Sequence, residues 1–186
     1  MTKQTERAFT CPWWLIFTFD NPLRKLVQDP LKILSPFVKP GDTVLDIGCG
    51  MGYFSLGLAK LVGEKGKVIA ADLQPQMLAG LSKRAKTLGL ESRIQPQLCQ
   101  PDKIGVSEPV DFALAFWMVH EVRQRREFLQ EVHGLVKPGG KFLIIEPIIH
   151  VTGADFAQTV TLGREIGFTT QDGPRVAASR SIFFEK

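Results

Sequence analysis

Val44-Leu45-Asp46-Ile47-Gly48-Cys49-Gly50-Met51-Gly52 is the stretch that decides the fold. Its first four residues form a short apolar run interrupted only by Asp46, the pattern of a strand buried in a parallel sheet. G-x-G-x-G follows, and from Leu56 to Val62 the apolar positions recur at helical spacing until the Gly63-Glu64-Lys65-Gly66 turn. A strand that turns at once into a helix needs glycines there. They permit the sharp turn, and they let a ligand lie against bare backbone where a Cβ would collide. A glycine motif alone is common in loops; between a strand and a helix it marks a nucleotide-type site.

Working outward, the chain alternates the two kinds of element. Val68-Ile69-Ala70-Ala71 is a second strand that stops at Asp72, about 20 residues beyond the glycines, where an acid accepts both hydroxyls of a ribose. Pro75 opens a helix with Met77, Leu81 and Leu88 on one face and Gly89 as its stop. Arg93-Ile94-Gln95 is a weak third strand, and Pro96 assigns it to a sheet edge. Val110 to Phe116 is a fourth strand. A helix runs from there through Val136, striped by Phe128, Leu129, Val132, Leu135 and Val136, and Lys137-Pro138-Gly139-Gly140 breaks it. Lys141 to Ile145 is a fifth strand, Asp155 is placed to cap a last helix through Ile166, and final strands fall near Phe168–Gln171 and Ser181–Glu185. Strands separated by helices predict an α/β fold with a mostly parallel sheet covered on both faces.

The 186 residues fit a single domain. Residues 1–40 read as a helical lid or cap, with cap-then-Pro helix starts at Asn21-Pro22 and Asp29-Pro30, and residues 41–186 as the core. The aromatic stretch Trp13-Trp14-Leu15-Ile16-Phe17 is far shorter than the roughly 20 apolar residues a bilayer span needs. It reads as core packing, a lid over an acceptor pocket, or a landing patch for a lipid-like molecule. Cys11, Cys49 and Cys99 are odd in number and far apart, without a C-x-x-C pair. No zinc site or disulfide framework is expected, a soft metalloid shared by the three is the minor alternative, and reduced thiols suggest the cytoplasm.

VLDIGCGMG resembles motif I of class I S-adenosylmethionine-dependent methyltransferases, closest to their small UbiE/type 11-like branch. Val110-Asp111-Phe112 resembles the fourth-strand motif, and Leu135-Val136-Lys137-Pro138-Gly139-Gly140 the turn before strand five. The resemblance covers residues 36–147 and implies a Rossmann-like, doubly wound α/β/α sandwich. Its sheet would have seven strands, the last reversed and supplied by Arg180–Phe184. It implies S-adenosylmethionine as cofactor and S-adenosylhomocysteine as product. The cofactor would be held by Asp46, Gly48, Cys49, Gly50 and Gly52 of the loop, by Asp72 and Leu73, and by Phe116 at the methyl end. For the adenine amine, where the family often has an acid, the candidates are Gln100, whose amide oxygen can accept, and Asp102.

Phe116-Trp117-Met118-Val119-His120-Glu121 follows strand four, where the family places residues facing the methyl group. His120 is the candidate general base, because imidazole titrates near neutral pH; a structural histidine is the competing reading, also for His150 and His133. Asp111 reads as a strand-edge acid. No N/D-P-P-Y motif occurs, which argues against DNA as acceptor. The net charge of +4 is the only support for RNA, since Lys83, Arg84, Lys86, Arg123, Arg125 and Arg126 read as solvated helix faces. The acceptor is expected to be a small, partly apolar molecule. The rival readings are a non-catalytic cofactor-binding subunit, an RNA methyltransferase and a nicotinamide-dependent oxidoreductase.

Overall fold

The structure, a computed structural model, describes residues 24–186. The aromatic run Trp13–Phe17, Phe19, Cys11 and the helix start at Asn21-Pro22 lie outside the described residues.

Two short helices come first, α1 (Arg24–Val27) and α2 (Pro30–Leu34). The Asp29 carboxylate caps α2 by accepting from the Leu31 amide at 2.9 Å, and Pro30 stands at the first helical position, where its missing N–H costs nothing. The core then alternates β1 (Thr43–Ile47), α3 (Tyr53–Val62), β2 (Lys67–Asp72), α4 (Pro75–Thr87) and β3 (Ile94–Leu98). It continues with β4 (Val110–Phe116), α5 (Arg125–Leu135), β5 (Val136–Pro147), α6 (Gly153–Ile166), β6 (Thr169–Asp172) and β7 (Ser179–Glu185).

The strands form one seven-stranded sheet in the order β3-β2-β1-β4-β5-β7-β6. β1 to β5 pair in parallel, while β7 runs antiparallel to both β5 and β6. The doubly wound sheet with a reversed final strand is therefore present, and the reversed strand lies inside the sheet rather than at its edge. β3 is an edge strand, as Pro96 required, and is longer than the weak signal suggested.

Alternation along each strand sends side chains to two separate cores. Val44, Val68, Phe112, Leu114, Leu143 and Phe183 pack with α3, α4 and the residues around α2. Leu45, Ile69, Ala113, Phe142, Ile144 and Phe184 pack with α5 and α6. Gly163 of α6 sits over Phe184, whose ring would lie 2.1 Å from a Cβ at that position. A glycine is what brings this helix onto the sheet.

Several expectations change in detail. Among the described residues the N-terminal segment is no lid at the sheet's edge: α2 packs on α3, and Phe37 just after it meets the Phe183 ring at 4.6 Å, over a sheet face. Thr152, not Asp155, caps α6: its hydroxyl accepts from the Asp155 amide at 3.2 Å and donates to the Asp155 carboxylate, so the two form a reciprocal cap. Lys137-Pro138-Gly139-Gly140 ends α5 as expected but already belongs to β5, with a register shift against Val110 and Phe112. Nor are the basic residues all solvated faces. Arg84 donates to the Met51 carbonyl at 3.0 Å and Arg125 to the Thr159 hydroxyl at 3.2 Å, while Arg126 stays exposed and pairs with Glu165 on the surface.

Candidate active site

The strand order reverses between β1 and β4, and the crevice beyond their carboxyl ends is where an open α/β sheet binds its ligand. The glycine loop, Asp72 and the Phe116–Glu121 segment all converge there.

Asp72 ties the glycine loop to the start of α4. Its Oδ2 accepts from the Gly50 amide at 2.8 Å and its Oδ1 from the Gln74 amide at 2.9 Å. Burial pushes its carboxyl up, against the pull of these amide donors. Each oxygen keeps a lone pair, so the carboxylate can still accept ribose hydroxyls. Leu73 beside it is 41% exposed, at the same carboxyl end of β2. The residues present therefore fit a nucleoside.

All three loop glycines have positive φ: 69° at Gly48, 54° at Gly50 and 83° at Gly52. At two of them the close neighbour is protein, which revises the expectation of space kept for a ligand. A Cβ on Gly52 would meet Leu81 Cδ1 at 2.1 Å, and one on Gly48 would meet Met118 Cγ at 2.9 Å. Gly52 lets α4 close on the loop, and Gly48 lets the segment after β4 come near.

Asp46 is buried beneath the loop, where its Oδ2 accepts from the Ser55 hydroxyl at 2.5 Å. Burial raises its pKa to about 7, with the Ser55 hydrogen bond opposing and the Asp72 charge adding. Because the folded value lies above the unfolded 3.8, the native state holds this proton more tightly. Stability from this group is then greatest in acid and falls as pH rises from about 4 to about 7. Asp46→Asn removes the titration and keeps an acceptor for Ser55. Its melting temperature relative to the parent should rise by several degrees between pH 5 and pH 8, from on the order of 2–4 kcal/mol. A constant gap across that range would show that Asp46 does not titrate so.

On the β4 side, Phe116 is stacked on Phe54 with centroids 4.1 Å apart. His120 Nδ1 lies 2.9 Å from Glu146 Oε2, at the end of β5. Glu146 is only 3% exposed and also accepts from the Val119 and His120 amides at 3.1 and 3.0 Å. Burial pushes His120 down, but the Glu146 hydrogen bond and charge, helped by Glu121, outweigh it and leave the imidazole above its ordinary value. His150 stacks on His120 with centroids 5.8 Å apart. Glu146 is the residue sequence reasoning missed; the signal was a lone acid ending the apolar run Phe142–Ile145.

Gln100 and Asp102 are both exposed in the turn closed by the Gln100 and Lys103 backbones. The Cys99 amide, preceding Gln100, donates to the Asp72 carbonyl at 2.9 Å, which ties this turn to the end of β2. Burial pushes both thiols up, Cys49 well above the ordinary range and Cys99 to about 12. Asp111 lies at the opposite end of β4, accepting from the Thr43 amide and Lys137, so it braces strand starts.

With this glycine loop, acid and sheet order, the molecule is a class I, S-adenosylmethionine-dependent methyltransferase by fold. A family profile described as a methyltransferase domain matches residues 44–140, and the chain belongs to that family. It is 31% identical over 122 residues to a demethylmenaquinone methyltransferase of Oceanobacillus iheyensis, covering 64% of this chain and 49% of that protein. It is 33% identical over 112 residues to the protein of that name from Lactobacillus johnsonii, covering 59% and 45%. The chain thus spans about half the length of these curated relatives. A crystal structure of a SAM-dependent methyltransferase from Aquifex aeolicus superposes with a TM-score of 0.81 at 28% identity, covering 94% of this chain and 97% of that one.

Proposed function

We propose that the chain transfers a methyl group from S-adenosylmethionine to a small, partly apolar acceptor bound against the end of β4. The observation that carries this reading is the His120–Glu146 pair, a buried carboxylate holding an imidazole just beyond the carboxyl end of β4. Asp72 would accept the ribose hydroxyls, with Leu73 against the nucleoside and Gln100, or Asp102, at the adenine amine. Gly48, Cys49, Gly50 and Gly52 would pass beneath the amino-acid end, Asp46 supporting them from below. Phe116 would line the methyl end. When bound, the cofactor supplies an activated methyl group on a sulfonium.

The chain's own work is then alignment, exclusion of water and, for an acceptor that arrives protonated, removal of a proton. Alignment alone can supply up to about 7–11 kcal/mol. Glu146 accepts from His120 Nδ1, which leaves Nε2 as the atom that takes the acceptor's proton. The relatives are named for demethylmenaquinone, so an apolar ring-based acceptor of quinone type is the class to try first. Among the described residues no helix is long and apolar enough to cross a membrane. The unpaired thiols of Cys49 and Cys99 suit a cytoplasmic setting.

The test is release of S-adenosylhomocysteine when the protein and S-adenosylmethionine meet reduced quinones, simple phenols and bulk RNA in parallel. Turnover is expected with a small apolar acceptor. Turnover confined to RNA would overturn the acceptor class.

A further inference from the structure

Tyr53 and Phe54 open α3 directly after the glycine loop, and Phe116 ends β4 across the switch point with Trp117 immediately after it. Their rings form one continuous cluster. Tyr53 and Phe54 are 5.3 Å apart edge to face, Phe54 and Phe116 are stacked, and Phe116 and Trp117 are 5.4 Å apart. Trp117 is held there at a cost, with φ of 58° in the left-handed region that a bulky residue avoids. Its amide donates to the Ile145 carbonyl at 2.7 Å and its indole N–H to the Ser179 hydroxyl at 3.0 Å. Trp117 is therefore fixed both at its amide and at its indole N–H, partly buried against the core cluster.

One cation already lies against this cluster. The Arg24 guanidinium is 4.3 Å from the Tyr53 centroid, 5.5 Å from Phe116, 5.6 Å from Phe54 and 5.9 Å from Trp117. All four distances are within the range in which a cation is attracted to an aromatic quadrupole. Arg24 Nε donates to the Gln28 amide oxygen at 2.9 Å, which sets the guanidinium's direction. Its charge also reaches Asp46, where it opposes the burial that raises that carboxyl.

We propose that the partly exposed Tyr53 and Trp117 rings, backed by the buried Phe54–Phe116 stack, are the seat of the cofactor's sulfonium, and that Arg24 is the chain's own cation holding that seat until the donor arrives. The inference rests on the methyl-donor reading above. A positively charged donor competes with Arg24 for the rings, so it binds only by displacing the guanidinium. The neutral thioether of the product has no claim on a cation cage, and Arg24 returns to it beside the product. Arg24 is thereby a specificity-determining residue that sets how strongly the site prefers cationic donor over neutral product.

The experiment is calorimetric titration of the full chain, parent and Arg24→Ala, with S-adenosylmethionine and S-adenosylhomocysteine. In Arg24→Ala the donor should bind about 3–10-fold more tightly, the scale of a partly exposed cation–π contact, while product affinity changes less than about 2-fold. Arg24→Lys, which restores a cation, should restore the parent preference. Tyr53→Leu should weaken the donor and spare the product, and it gives an independent reading if Arg24→Ala folds poorly. Equal weakening of both ligands in Arg24→Ala would show that Arg24 binds their common carboxylate and would overturn the proposal. So would unchanged affinity for both. Failure of the parent protein to bind either ligand would instead remove the methyl-donor reading itself.

Discussion

Asp72→Ala should weaken S-adenosylhomocysteine binding by about 100-fold or more, because two hydrogen bonds to a charged carboxylate contribute about 1.5–3 kcal/mol each. The carboxylate sits at the end of β2 with both oxygens directed by backbone amides, Gly50 on one and Gln74 on the other. Those amides fix its orientation before any ligand arrives, so little ordering remains for binding to overcome. The same amides lose their acceptor in the alanine variant, and a drop of a few degrees in melting temperature should accompany the loss of affinity. Asp72→Asn separates the two effects, since it keeps an acceptor for one amide and cannot accept through both atoms. It should bind the product much more weakly than the parent while melting close to it. Parent-like affinity in both variants would place the ribose elsewhere.

His120→Ala should lower kcat by about 100- to 10,000-fold on an acceptor that must lose a proton, with product affinity within about 2-fold of the parent by the same reasoning, since the imidazole takes part only in the proton step. The pH profile carries more information than the rate. A general base works when neutral, so activity should rise with pH through the His120 pKa, and that limb should lie above 6.5 because Glu146 and Glu121 outweigh burial. Glu146→Gln removes the charge that raises it and should move the limb to lower pH while reducing kcat about 10-fold or more. Glu146→Asp keeps the charge on a shorter arm and should restore part of the pH position. A wild-type rate in His120→Ala would make the histidine structural. A pH limb unmoved by Glu146→Gln would leave Glu146 as no more than a clamp on the Val119 and His120 amides.

Much of the fold was legible because its signals are local. Val44–Ile47 and Val68–Ala71 are apolar runs too short for helices, and the glycines after the first and the acid after the second locate the carboxyl edge of the sheet. Arg180–Phe184 could be assigned as the reversed strand only through resemblance. Nothing in a segment whose apolar run is only Ile182-Phe183-Phe184 says that it inserts between β5 and β6 in the opposite direction. The cap of α6 went to Thr152 because Asp155 and Thr152 both suit the role, and the choice depends on where the chain leaves β5.

The site was legible in part for the same reason. Asp72 and the loop are read from spacing along one β-α-β unit. Glu146 is 26 residues from its histidine and meets it only because β4 and β5 are neighbours. The protein neighbours of Gly48 and Gly52 were hidden likewise: Met118 and Leu81 approach through the packing of distant segments. Arg24 stands in a short run before α2 that looks like an ordinary solvated helix, and its four rings come from two separate turns.

The most direct test of where the cofactor lies is a crystal structure of the chain with S-adenosylhomocysteine bound. The expected result has the ribose hydroxyls on Asp72 at about 2.5–3.0 Å, the amino-acid end over Gly48–Gly52, and the sulfur facing Phe116 with His120 beyond it. A ligand whose ribose lies away from Asp72, or whose sulfur points away from the end of β4, would contradict the assignment of both the cofactor acid and the base.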